Sequence, residues 1–111
     1  MNNLKKSFSW AKNGLKAVWV EERNFRIEIV IGIVTVLFGI IWDLTQTEWM
    51  FIFIAIAMVL SAEILNTAVE DICNKIEPAQ NPLIGKIKDM MAGFVLVSCV
   101  ASVLIGLIVF F

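Results

Sequence analysis

Apolar residues run along this chain as one short periodic stretch followed by three long blocks. Within 2–20, Leu4, Phe8, Ala11, Leu15 and Val18 recur at steps of four and three, while Lys5, Lys6, Lys12, Asn13 and Lys16 fill the other side. That period predicts an amphipathic helix. A basic polar face with Trp10 and Trp19 nearby suits a helix lying in the membrane interface, its tryptophans at headgroup depth. A helix packed on a bundle is the alternative, and both can hold together.

The first long block follows the charged hinge Glu21-Glu22-Arg23-Asn24-Phe25-Arg26 and predicts a spanning helix over 25–44, with one acid, Glu28, near its start. Asp43-Leu-Thr-Gln-Thr-Glu48 reads as a tight polar turn flanked by Trp42 and Trp49 as interface anchors. A second helix is predicted over 48–76. It is longer than a bilayer requires, so its last turns should reach water. Glu77-Pro78-Ala-Gln-Asn81-Pro82 is the next loop, in which Pro78 stops one helix and Pro82 suits the first turn of the following one. The third span is predicted over 86–111, and Ser98, Ser102 and Gly106 give it a small-residue face for close packing.

Composition fits that pattern. The chain has 111 residues, is 59% hydrophobic and has a mean hydropathy of +0.85, which leaves too little polar surface for a soluble globule. The expected class is an all-α integral membrane protein forming one domain over 1–111. Histidine is absent, which removes histidine-based metal sites and Ser-His triads. Cys73 and Cys99 form no CxxC pair and read as inert thiols. No cleavable signal is evident, since the first apolar run starts only near residue 27 and has no small-residue cleavage site after it.

Lysine and arginine orient the spans. Residues 1–26 hold Lys5, Lys6, Lys12, Lys16, Arg23 and Arg26, and the loop after the second helix is flanked by Lys75, Lys86 and Lys88. The 43–48 turn and the C-terminus hold none. The positive-inside rule places the N-terminus and the 71–89 loop in the cytoplasm and the C-terminus outside.

Against this background, Glu63-Ile-Leu-Asn66-Thr67-Ala-Val-Glu70 stands out. Positions 63, 66, 67 and 70 fall within one arc of roughly 100° on a helix, and Asn74 extends the same face. Charges near a helix end often pair or snorkel to water. Four polar groups in one stripe, with Lys88-Asp89 on the next helix, point instead to use. If the second helix meets the bilayer at Trp49, Glu63 lies ~21 Å along it and Glu70 ~31 Å, against about 30 Å of hydrocarbon. Glu63 is then just inside the cytoplasmic boundary and Glu70 at or beyond it, with Glu22, Glu28, Lys88 and Asp89 at a similar level. Glu22 and Glu70 can offer hard oxygen ligands to Mg²⁺, Lys88 can meet phosphate oxygens, and Glu63 can take a proton from a lipid hydroxyl. No GxxxxGK[ST], GxGxxG, His-Arg-Asp or Asp-Phe-Gly motif is present, and no aromatic strip for bases accompanies the basic residues, so nucleic-acid binding is not expected. The residues alone thus reach a cytoplasmic-face membrane site for a metal-bound anion.

The run Glu63-Ile-Leu-Asn-Thr-Ala-Val-Glu70, joined to Lys88-Asp89-Met90 eighteen residues later, resembles the small prokaryotic diacylglycerol kinase family, which includes the undecaprenol kinases. The resemblance extends through Gly14-Leu-Lys-Ala-Val-Trp19, Glu22 and Phe25-Arg26 to nearly the whole chain. It implies a homotrimer with composite active sites that transfers the γ-phosphate of ATP to a lipid alcohol. It implies Glu63 as general base with Asn66 in support, and Glu22 and Glu70 as Mg²⁺ ligands that also hold the nucleotide. Trp10, Ala79, Gln80, Asn81, Lys88 and Asp89 correspond to further nucleotide contacts, and Glu28 and Ala92 to the lipid side of the site. Many members carry Tyr-His where this chain has Gln80-Asn81, Asp where it has Asn74, and some an Arg where it has Asn3. These departures touch the adenine contacts more than the phosphate chemistry.

For the acceptor, diacylglycerol, giving phosphatidic acid, stands first on the Glu63-Ile-Leu run and Met90. Undecaprenol is the alternative, on Thr67, Pro82 and Ala92-Gly93. A different class, a small proton-coupled transporter using Glu28 or Glu63, is disfavoured because transport sites usually lie near the midplane. A purely structural subunit gives no reason for the stripe.

Overall fold

Three helices long and apolar enough to cross a membrane, preceded by one more polar helix, make up the computed structural model, which describes residues 2–76 and 81–111. They are α1 (Asn2–Glu21), α2 (Arg23–Trp42), α3 (Gln46–Ile76) and α4 (Pro82–Phe110). The protein is a multi-pass membrane protein. Large apolar side chains such as Ile31, Phe51, Val97 and Ile108 are exposed, as the hydrocarbon of a bilayer allows.

The break between α1 and α2 is a single residue. Glu22 is extended (φ −114°, ψ 111°) and its side chain caps nothing. Arg26 closes α1 instead: its guanidinium donates to the carbonyls of Trp19 and Val20, two of the acceptors a helix end leaves open. Phe25 and Val18 are buried at this joint. The second helix therefore starts at Arg23, two residues before the sequence expectation.

At the other end of the bundle, Asp43 takes the left-handed conformation (φ 57°, ψ 58°) and ends α2. Thr45 and Glu48 then form a reciprocal capping box. The Thr45 amide donates to Glu48 Oε1 at 2.9 Å and the Glu48 amide donates to Thr45 Oγ1 at 3.2 Å. Trp49, stacked on Phe53, lies over Gly39 of α2, where no side chain intervenes. The short polar turn is thus fixed by a cap on each side and by one close helix approach.

Helices α2 and α4 each pack on α3, and α1 reaches both α2 and α3. Asn81 caps α4 through its Oδ1, which accepts from the Leu83 amide at 2.9 Å, with Pro82 at the first position. This cap starts α4 four residues before the expected span. The small-residue face of α4 divides. Ser98 is buried, and Ser102 Oγ donates across to the Ala55 carbonyl of α3 at 3.2 Å. Gly106, expected in the same contact, has nothing within 4 Å of a Cβ built on it and faces an open cleft instead.

Candidate active site at the polar end of the bundle

The polar stripe of α3 runs from deep burial to partial exposure over two turns. Glu63 is 2% exposed and Thr67 3%, the least accessible polar residues of the stripe. Asn66 and Glu70 are half-buried, and Asn74 is exposed. Glu63 is placed inside the bundle rather than on its lipid-facing side. The adjoining turns of α2 bring Glu28 against it. One oxygen of each, Oε2, has no hydrogen-bond partner among the described residues. A buried, unpartnered carboxyl oxygen is costly, and its persistence calls for a ligand or a proton.

Thr67 does not extend the reactive group. Its Oγ1 donates to the Glu63 carbonyl at 2.9 Å, one turn back on the same helix. This fixes the hydroxyl as backbone support for the turn that carries Glu63, rather than as a free donor between Glu63 and Glu70.

Glu22 and Glu70 both lie close enough to Glu63 for their charges to act on it. The sequence reading missed two further acids at this level. Glu21, the last residue of α1, sits beside Asp71 of α3, and that like charge, with a lesser contribution from burial, holds the Glu21 carboxyl above its usual range. The break at Glu22 turns α1 back over the end of α3, which brings this pair together.

Among the described residues, no group of three carboxylate or thiol side chains stands close enough to hold a metal ion by itself. The donor chemistry nevertheless suits Mg²⁺. That ion is held by one or two carboxylates and completes its shell with phosphate oxygens and water. Two hard carboxylates, one at a helix break and one half-buried on α3, supply that minimum.

Lys88, half-buried on α4, comes to the same end of the bundle. Its Nζ donates to Asn74 Oδ1 at 2.6 Å, a contact from α4 to the last turns of α3. Asp89, the next residue, is exposed. Trp10 is exposed on α1 and Ala92 is exposed on α4; Ala92 does not line the cleft beside Glu28. Asn81 uses its amide oxygen for the α4 cap, which leaves its NH₂ group for any other partner. Ala79 and Gln80 lie outside the described residues. Glu22, Glu28, Glu63, Glu70 and Lys88 therefore gather at one end of the bundle, whereas Trp10, Asp89 and Ala92 line its exterior.

The chain is 36% identical over 110 residues to an undecaprenol kinase of Bacillus subtilis (strain 168), a match covering 99% of this chain and 89% of that protein. It is 30% identical over 97 residues to a diacylglycerol kinase of Escherichia coli (strain K12), covering 87% and 78% respectively. A diacylglycerol kinase of Haemophilus influenzae matches at 26% over 112 residues, covering 100% and 95%. The family model described as prokaryotic diacylglycerol kinase matches residues 9–110, which takes in the breaks at Glu22 and Asp43, the α3 stripe and Lys88. A match of that extent, joined to relatives that are lipid kinases, places the chain in the prokaryotic diacylglycerol kinase family.

Proposed function

We propose that this membrane kinase transfers the γ-phosphoryl group of ATP to the hydroxyl of a membrane lipid at the cytoplasmic surface, with Mg²⁺, as a homotrimer. The observation that carries this reading is the graded stripe on α3. Glu63 is sealed in the bundle beside Glu28, and Glu70 is half-buried two turns further on, roughly 10.5 Å away at 1.5 Å per residue. One rigid helix thus carries an inner carboxylate, which a lipid hydroxyl would reach past Glu28, and a more open carboxylate at the level of a water-borne phosphate.

In that site the side chains divide the work. Glu22 and Glu70 would hold the metal, which when bound offsets the negative charge of the ATP phosphates. Lys88, held by Asn74, would approach the same phosphates. Glu63 would accept the proton of the lipid hydroxyl as that oxygen bonds to the γ-phosphorus. The bond from the γ-phosphorus to its bridging oxygen breaks, and ADP leaves with the electron pair. Thr67 keeps the Glu63 turn in register and Asn66 borders the path. The phosphate end faces the cytoplasm because the basic N-terminus and Lys86 and Lys88 lie on that side.

For the acceptor we place a polyprenol of the undecaprenol type first. The undecaprenol kinase match is both higher and longer than the Escherichia coli diacylglycerol kinase match, 36% over 110 residues against 30% over 97. This reverses the order suggested by Met90 and the Glu63-Ile-Leu run. Diacylglycerol is the second reading, favoured by those residues. Purified protein with radiolabelled ATP, Mg²⁺ and a panel of undecaprenol, diacylglycerol, ceramide and monoacylglycerol tests both. Label in undecaprenol above all others supports the first, and label in none refutes the lipid-kinase reading. Glu63→Gln should lose activity by about 10²–10⁴-fold, as for removal of a positioned base; full activity would remove Glu63 from that role.

A further inference from the structure

Glu22 is the one residue between α1 and α2. Its amide donates to the Val18 carbonyl at 2.8 Å, as if α1 continued, and its carbonyl accepts from the Arg26 amide at 3.4 Å, as if α2 had begun. The backbone of Glu22 thus belongs to both helices, while its side chain caps neither. Where that carboxylate stands is set by how the end of α1 is seated on α2 and α3.

α1 is poorly equipped to keep that seat by itself. Its last turn holds no basic residue and closes on Glu21, an acid at the end of a helix whose dipole disfavours negative charge. Glu21 also stands beside Asp71 of α3, a like charge that pushes the end of α1 away from α3. Among the described residues of α1, Val18 alone is buried, so apolar packing anchors the helix at a single point of its own.

Arg26 supplies the missing cation from α2. Its Nη1 donates to the Trp19 carbonyl and, at 3.2 Å, to the Val20 carbonyl. A cation on the open carbonyls of a helix end satisfies their acceptors and complements the dipole. The planar guanidinium fixes direction as well as charge. Arg26 therefore grips the chain on both sides of the break, its amide on Glu22 and its side chain on the two residues before Glu21.

We infer that Arg26 is a positioning residue: by clamping the last turn of α1 to α2 against the Glu21–Asp71 repulsion, it holds the Glu22 carboxylate at the polar end of α3. What Glu22 does there, holding the metal of a metal–nucleotide pair, rests on the proposed kinase reading. Arg26 itself acts through the backbone of α1 and touches neither metal nor nucleotide.

The test uses the full chain in lipid nanodiscs. Hydrogen exchange with mass spectrometry reads the joint without reference to activity, and calorimetry gives the Kd for Mg²⁺ with a non-hydrolysable ATP analogue. Arg26→Gln should speed exchange of amides 19–22, leave exchange over 63–70 unchanged and raise that Kd about tenfold, with kcat at saturation altered by less than about twofold. Arg26→Lys, which keeps the charge without the fork, should show the same pattern at about threefold. Arg23→Gln removes the same charge from the exposed start of α2 and should leave exchange and Kd as they are. Adding Glu21→Gln to Arg26→Gln removes the repulsion that the clamp opposes and should return the Kd to within about threefold of the unaltered protein. Unchanged exchange over 19–22 overturns the inference even if affinity falls, because Arg26 would then act on the nucleotide directly. An undiminished defect in the double variant overturns it as well. If the unaltered protein binds no magnesium–nucleotide, the kinase reading fails, and the exchange measurement alone decides the clamp.

Discussion

Replacing Gly39 with alanine tests the tightest contact in the bundle. A Cβ on Gly39 would stand 2.6 Å from Trp49 Cη2, 3.0 Å from Leu44 Cδ1 and 3.1 Å from Trp49 Cζ2. The first distance cannot be borne without movement. The indole is a poor candidate to yield, being stacked on Phe53 at 5.4 Å with 21° between the planes, and Leu44 is itself buried. Forcing a methyl group into such a contact costs about 1–3 kcal/mol. Alanine in a helix recovers about 0.8–1 kcal/mol relative to glycine. The net expected change is a loss of about 0–2 kcal/mol.

That range is made sharper by a matched control. Gly14 lies on exposed α1 with nothing within 4 Å of its added Cβ, so Gly14→Ala collects the helix gain without the clash. The difference between the two variants isolates the contact and should be about 1–3 kcal/mol, with Gly39→Ala the less stable. Unfolding in mixed micelles of mild detergent and SDS measures the difference. Near-UV circular dichroism reports whether Trp49 has moved. Kinase activity at saturating substrate should hold in the surviving fold, because Trp49 is fourteen residues, ~21 Å, from Glu63 along α3. Equal stability of the two variants with an unaltered tryptophan signal would refute the packing described for the 43–48 turn.

Other outcomes follow from the caps and the acidic layer. Thr45→Ala should cost about 0.5–2 kcal/mol in the same unfolding assay, and Glu48→Ala less, since the hydroxyl satisfies an amide that begins α3. Asn74→Leu removes the neutral partner of Lys88 and should raise the KM for ATP two- to tenfold with little change in kcat, from roughly 0.5–1.4 kcal/mol of lost hydrogen bonding. The Asp71 charge holds the Glu21 carboxyl above its usual value near 4.5, so the native state keeps that proton more tightly than the unfolded chain. Stability from this pair is greatest below the unfolded value and falls as pH rises through the native one. In magnesium-free buffer, Glu21→Gln should flatten that decline; an unchanged slope would remove the pair as its source.

The three spans and their order were legible because apolar blocks of this length have few other uses, and Pro82 announced the start of α4. The stripe on α3 was legible as a stripe, since four polar residues at helical spacing in an apolar block are hard to miss. Its radial position was not. Periodicity shows that Glu63 and Glu70 share a face, and only packing shows that Glu63 is sealed against Glu28 while Glu70 is half open. Gly106 was misread for a related reason: small residues at steps of four predict close approach, but they also leave room where no partner helix comes. Thr45 and Glu48 could have been found from sequence alone, because a Thr with Glu three residues later before an apolar run is a capping signature. Arg26 could not, since its charge reads equally well as membrane orientation and as the cap it forms on α1.

The partners of the cations at this end of the bundle bear on what balances the carboxylates. Lys88 bonds the neutral amide oxygen of Asn74, and Arg26 bonds the backbone carbonyls of α1. Both place their charge on neutral oxygens, although Glu21, Glu22, Glu70 and Asp71 are gathered at the same level by the α1–α2 break and the last turns of α3. A layer built for stability alone would gain more by pairing these charges at the surface, even at the modest ~0.5 kcal/mol typical of an exposed pair. Leaving Glu21 and Asp71 against each other instead costs stability, as the displaced Glu21 carboxyl shows. Under the proposed function the arrangement would become favourable once a divalent cation arrived with a polyphosphate: the metal would answer the carboxylates, and Lys88, held by the neutral Asn74, the phosphates. The carboxylates gathered here, among the described residues, would then complement a metal–nucleotide pair, the binding step the proposed phosphoryl transfer requires.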